Sequence, residues 1–120
     1  HIIMEIGNNG GDGFVVARHA NAAGADVQVV LLAKSESYKA DAKTNYDSVK
    51  RLGIPILDML SMETEGALKS VNTMLEWADV SVDALFGVGL ARPVAGIYAD
   101  TVEAINRWKA AGQGRNVFSL

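Results

Sequence analysis

Ile2-Ile3-Met4-Glu5-Ile6-Gly7-Asn8-Asn9-Gly10-Gly11-Asp12-Gly13-Phe14-Val15-Val16-Ala17 opens with a short apolar run, breaks into glycines and resumes with helical spacing. A run of that length rich in isoleucine reads as a strand buried on both faces, and the segment after the glycines reads as a helix. Strand, glycine loop and helix in that order begin a βαβ unit, the building block of parallel sheets.

The same alternation continues along the chain. Further strands are predicted at Val27–Leu32, Ile54–Leu57, Asp79–Phe86 and Asn116–Leu120, each short and mostly apolar. Helices are predicted from about Gly13 to Ala23, Lys39 to Leu52, Glu63 to Trp77 and Gly96 to Ala111. Gly24, Gly53 and Gly112 stand as C-terminal stops. Parallel neighbours need crossovers of about a dozen residues, and each helix supplies one. The expected fold is α/β, a three-layer α/β/α Rossmann-like sandwich with a mainly parallel sheet. The 120 residues fit one domain, 1–120, large enough for a core without staples.

Composition excludes several classes of function. Apolar residues make up 49% of the chain, the ordinary share for a globular protein. No run of about 18 apolar residues occurs, so no membrane-spanning helix is expected. The formal charge of −3 is spread evenly and no basic run exceeds Lys50-Arg51, which leaves no footprint for nucleic acid. Cysteine is absent, so disulfides and thiolate metal sites are excluded. With no signal segment visible, cytoplasmic localisation is the default expectation. The chain opens at His1 and stops at Leu120, each inside an apolar run, which reads as a piece cut from a longer protein.

In a doubly wound sheet the ligand lies beyond the carboxyl ends of the strands, where the strand order reverses. With the order 3-2-1-4-5, the loops after strands one and four converge there. They are the most glycine-rich loops in the chain: Gly7 to Gly13, and Gly87-Val88-Gly89-Leu90-Ala91-Arg92-Pro93. Free N–H groups where the first loop meets its helix suit a phosphate. Asn8 and Asn9 add amide donors and acceptors. Asp12 reads equally as a helix N-cap or as an acceptor for a ribose or reacting hydroxyl. Arg92 reads as a pyrophosphate ligand or as a solvated surface arginine. Asp83, inside strand four, is too costly there to stand unpaired, so it is hydrogen-bonded, ion-paired or bound to a cation, with Asn9 expected nearby. Oxygen ligands without His or Cys point to a hard cation.

The first loop is not the usual dinucleotide fingerprint. Gly-x-Gly-x-x-Gly is absent, and strand two ends at Ala33 and Lys34 without the acid that reads a ribose in NAD dehydrogenases. No Gly-Lys-Ser/Thr follows the glycines, which excludes a P-loop. His19 is expected on an outer helix face, and Trp77 and Trp108 at the edge of the core. No nucleophilic triad, glutamate pair or metal-binding histidine spacing is present.

The stretch G-N-N-G-G-D-G followed by F-V-V-A-R-H, together with V-D-A-L-F-G-V-G-L-A-R-P, closely resembles the YjeF N-terminal domain family. The resemblance runs over almost the whole chain. It implies epimerisation of the R and S forms of hydrated NADH or NADPH, supplying the S form to an NAD(P)H-hydrate dehydratase, fused or separate. Carried over residue by residue, Asn8, Asn9, Gly10, Gly11 and Asp12, with Gly87 to Pro93, would bind the hydrate. Asn9 and Asp83 would help hold a potassium ion. Many members of the family are homodimers.

Two departures stand out. Glu5 occupies a place where the family usually has glycine, and a side chain at that bend is expected to crowd the loop or its ligand. The family's Asp-Ile/Leu-Pro-Ser-Gly segment, carrying its catalytic base, would follow Leu120, so the catalytic residue is unassigned and little epimerase activity is expected of these 120 residues. The alternative is a non-catalytic binding or scaffolding module with a nucleotide-sized pocket. Retention of Asn9, Asp12, Asp83 and G-x-G-L-x-R-P together favours the enzyme, whereas Glu5 favours the module.

Overall fold

A computed structural model describes residues 1–8, 10–85 and 96–120. Its strands are β1 (Ile2–Ile6), β2 (Val27–Leu31), β3 (Ile56–Asp58), β4 (Val80–Ala84) and β5 (Asn116–Ser119). They form one sheet in the order β3-β2-β1-β4-β5, with every neighbouring pair parallel. The helices are α1 (Gly11–Ala22), α2 (Ala40–Arg51), α3 (Thr64–Glu76) and α4 (Gly96–Ala111).

The two faces of the sheet bury different residues because successive side chains point to opposite sides. Met4, Ile6, Val29 and Leu31 pack against Phe14 and Ala17 of α1 and Val49 of α2. Ile3, Val30 and Leu32 pack against Ala67, Val71 and Leu75 of α3 and Ala104, Ile105 and Trp108 of α4. The expected three-layer sandwich and strand order are therefore those observed.

Several boundaries move, each for a local reason. Helix α1 begins at Gly11, two residues before the predicted start, because Gly10 already acts as its N-cap. Strand β3 begins at Ile56 instead of Ile54: Pro55 has no N–H to give, and its carbonyl accepts from Val29 N–H at 2.9 Å. Just before it, Gly53 at φ +74° ends α2 in a conformation that a side chain would resist. Short 3₁₀ turns at Ser35–Ser37 and Met59–Ser61 were not foreseen.

Two burial expectations are corrected. Strand β5 is an edge strand and is not buried on both faces; Phe118 is 57% exposed. Trp77 caps the end of α3 with 73% of its surface exposed, so it does not pack at the core edge, whereas Trp108 is buried. No described helix is long and apolar enough to cross a membrane.

Candidate functional site

The first glycine loop is shaped by close approaches. Beyond β1, Gly7 N–H donates to the Ala84 carbonyl at 3.2 Å and so stays tied to β4. A Cβ on Gly7 would lie 2.3 Å from the Leu85 carbonyl oxygen, so only a hydrogen fits between the two strand ends. Gly10 is wedged against Ile6, Phe14 and Tyr38, and Gly13 against Ile6 and Ala84, which lets α1 start flush against the sheet. Glycine serves here as space for neighbouring atoms.

This loop lies where strand order reverses, with β2 on one side of β1 and β4 on the other. It is held from the α2 side by the buried Tyr38 hydroxyl, which donates to the Gly7 carbonyl at 2.7 Å. Phe14, Tyr38 and Tyr46 meet as an aromatic cluster beneath it, with centroid separations of 5.3, 5.6 and 6.0 Å. On the other face, the Tyr98 hydroxyl donates to the Leu32 carbonyl, fixing the first turn of α4 over the end of β2.

Asn8, Gly11 and Asp12 form one wall of an open cleft of about 490 Å³, and Ser37, Tyr38, Lys39, Asp41 and Ala42 form the other. Asp12 is exposed in the first turn of α1 and is not its N-cap. That role falls to Gly10, which offers no side-chain hydrogen bond. Of the two roles read from sequence, the capping role is thus excluded. Asn9 and Gly87, Val88, Gly89, Leu90, Ala91, Arg92 and Pro93 lie outside the described residues.

Asp83 stands near the carboxyl end of β4, partly buried, with Oδ1 accepting from Leu85 N–H at 3.0 Å. Its partner in register on β1 is Glu5. Glu5 does not sit at a bend, as its place in the family pattern implied: it is a residue of β1, and the strand ends at Ile6, just before Gly7. Its side chain lies fully buried, with Ser81 Oγ at 2.8 and 2.9 Å from its two oxygens. A hydroxyl has one hydrogen, so the carboxyl group receives at most one donor from Ser81. Burial pushes the Glu5 carboxyl up to about 8; the Ser81 hydrogen bond pulls down and the charge of Asp83 adds to the rise.

Sequence reading missed Glu5–Ser81 as a pair, along with Ser37, Tyr38, Lys39 and Asp41. The pair had one visible signal, an acid in an otherwise apolar strand. Nothing local places the second cleft wall, because no spacing shows that the loop after β2 folds back on the loop after β1.

The model of the YjeF-related protein N-terminus family matches residues 1–119. A protein of Thermofilum pendens named bifunctional NAD(P)H-hydrate repair enzyme Nnr is 43% identical over 119 residues, covering 99% of this chain and 21% of that protein. One of Pirellula staleyi named NAD(P)H-hydrate epimerase is 37% identical over 106 residues, covering 88% of this chain and 45% of that protein. The chain thus spans less than half the length of these relatives. Among solved structures, yeast ynu0 shares the fold with a TM-score of 0.76 at 24% identity, over 99% of this chain and 46% of that one. With a matching family model over nearly its whole length and a sheet of the corresponding fold, the chain belongs to the YjeF-related protein N-terminus family.

Proposed function

We propose that this chain is the substrate-binding part of an NAD(P)H-hydrate epimerase, which interconverts the R and S hydrates of NADH and NADPH. The observation that carries this reading is the contact between the glycine loop and the end of β4. Gly7 admits Leu85 at a distance no other residue tolerates, and this brings the two strand ends to one crevice at the switch point. The names of the relatives supply the reaction. Glu5, the residue that favoured a non-catalytic module, lies buried in β1 against Ser81 and is accommodated within the sheet.

In this reading the start of α1, which has no side-chain cap, and the loop amides hold the dinucleotide's phosphates. Asn8, Asn9, Asp12 and the segment Gly87 to Pro93 orient the rest. The hydrated carbon is a hemiaminal, so loss and return of its hydroxyl through an iminium-like species inverts it, assisted by an acid/base group. That group belongs to the family's Asp-Ile/Leu-Pro-Ser-Gly segment. Asp83 and Asn9 would hold potassium. The partly buried Asp83 carboxylate is a hard oxygen donor of the kind that ion takes, with one oxygen already fixed by Leu85 N–H. When bound, the ion would supply positive charge to the site. The S hydrate passes to a dehydratase, fused or separate, in the cytosol where the cofactor pool turns over.

Binding tests this directly. NADH hydrate at a hundredfold excess over its Kd is expected to stabilise the chain by about 2.7 kcal/mol in thermal unfolding. No shift at millimolar hydrate would reject the reading.

A further inference from the structure

One side chain joins the segment before α2 to the glycine loop. The backbone of Tyr38 is fixed by the turn Ser35–Ser37: its N–H donates to the Ser35 carbonyl at 3.2 Å, and the Ser37 hydroxyl donates to the Lys34 carbonyl at 2.6 Å. The tyrosine ring packs edge-on against Phe14 of α1 and lies tilted against Tyr46 of α2. From this seat the buried hydroxyl donates to the Gly7 carbonyl, and its oxygen would lie 3.0 Å from a Cβ on Gly10. It thus reaches both Gly7, just beyond β1, and Gly10, the cap of α1. Burial pushes the Tyr38 hydroxyl up, so it keeps its proton and remains a donor.

The consequence falls on the next peptide. Gly7 is held at both of its polar groups, N–H on Ala84 and carbonyl on Tyr38. No described peptide bond is cis, and in a trans peptide the C=O and N–H point in opposite directions. With the Gly7 carbonyl turned to Tyr38, the Asn8 N–H of the same peptide is turned away from it. Among the described residues that N–H has no hydrogen-bond partner, and Asn8 is exposed. Glycine has little backbone preference of its own to hold such an orientation, so the tyrosine supplies it. A backbone N–H that is fixed and left free suits an anionic or carbonyl oxygen of a ligand. Resting on the dinucleotide reading above, we propose that Tyr38 is a positioning residue: its hydroxyl holds the Gly7–Asn8 peptide so that the Asn8 N–H is presented to an oxygen of the bound ligand. Tyr38 touches no reacting atom in this role and acts through Gly7.

Tyr38→Phe removes the hydroxyl and keeps the ring between Phe14 and Tyr46. Tyr46→Phe is the control, because the Tyr46 hydroxyl has no hydrogen-bond partner among the described residues. Two measurements are made where circular dichroism shows every variant fully folded, so that a merely structural role leaves affinity unchanged. In amide proton–nitrogen spectra without ligand, Tyr38→Phe is expected to shift or broaden the Asn8 signal, and Tyr46→Phe to leave it in place. Titrated with NADH hydrate, Tyr38→Phe should bind about tenfold more weakly than the parent, as when the freed peptide keeps the competent orientation about a tenth of the time. Tyr46→Phe should match the parent. An unmoved Asn8 signal or parent-like affinity in Tyr38→Phe would overturn the proposal, and so would an equal loss in Tyr46→Phe, which would assign the effect to ring packing. Failure of the parent itself to bind the hydrate would remove the dinucleotide reading instead, and the Asn8 signal alone would then decide whether Tyr38 holds the peptide.

Discussion

Gly7→Ala is expected to destabilise the protein by about 3 kcal/mol, at the upper end of overpacking effects, and to abolish hydrate binding. The added Cβ would lie 2.3 Å from the Leu85 carbonyl oxygen and 3.1 and 3.3 Å from its carbonyl carbon and Cα. All three are backbone atoms at the end of a central strand, so no side chain can rotate away to make room. Relief requires β1 and β4 to part at their carboxyl ends, where Gly7 N–H holds the Ala84 carbonyl. Gly66→Ala supplies the contrast. Gly66 lies in α3, no atom beyond its own helix backbone and chain neighbours stands within 4 Å of where a Cβ would lie, and alanine there should add about 0.5–1 kcal/mol through helix propensity. Urea denaturation of the two variants beside the parent measures both. Equal small effects would mean that the strand ends are not held this close.

Glu5→Gln is expected to leave stability near neutral at pH 4 and to raise it by several kcal/mol at pH 8.5. The Glu5 carboxyl is raised from 4.5 to about 8 in the folded protein, chiefly by burial. Below 4.5 both folded and unfolded chains hold the proton, and Glu5 makes no contribution to pH dependence. Between 4.5 and 8 the unfolded chain loses the proton while the folded chain keeps it, so stability falls as pH rises. The decline is complete above about 8, and the shift corresponds to roughly 4–5 kcal/mol at most. Glutamine keeps the shape and cannot ionise. The difference between variant and parent in urea denaturation, followed from pH 4 to 9, isolates this group from the other carboxylates. A flat difference would show that Glu5 titrates normally in the folded chain.

Legibility in the sequence followed the range of the interactions. Strand β1 and helix α4 were readable to their ends because period and breakers are local: an isoleucine-rich run stops at Gly7, and a helical face stops at Gly112. Strand order was taken as the 3-2-1-4-5 common to doubly wound sheets, from which the two glycine loops were expected to meet, and the sheet has that order. Asp12 was misplaced as a possible cap because the start of α1 depends on Gly10, which caps without a side chain. Ser81 and Glu5 are 76 residues apart and meet only through the register of β1 on β4. No spacing rule relates such positions. The approach of the segment before α2 to the glycine loop was unreadable for a similar reason, since it is made by the Tyr38 hydroxyl on the Gly7 carbonyl, 31 residues away.

Conversion of R to S hydrate, followed by chromatography, tests the central claim most directly. The chain would be assayed alone and joined beyond its last strand to the Asp-x-Pro-Ser-Gly segment of the family, each with potassium present. Acceleration over the spontaneous rate in the joined form, with little in the chain alone, is the result expected of a substrate-binding part whose acid/base group lies in that segment. Conversion at the spontaneous rate in both forms would contradict the epimerase reading and leave a binding module.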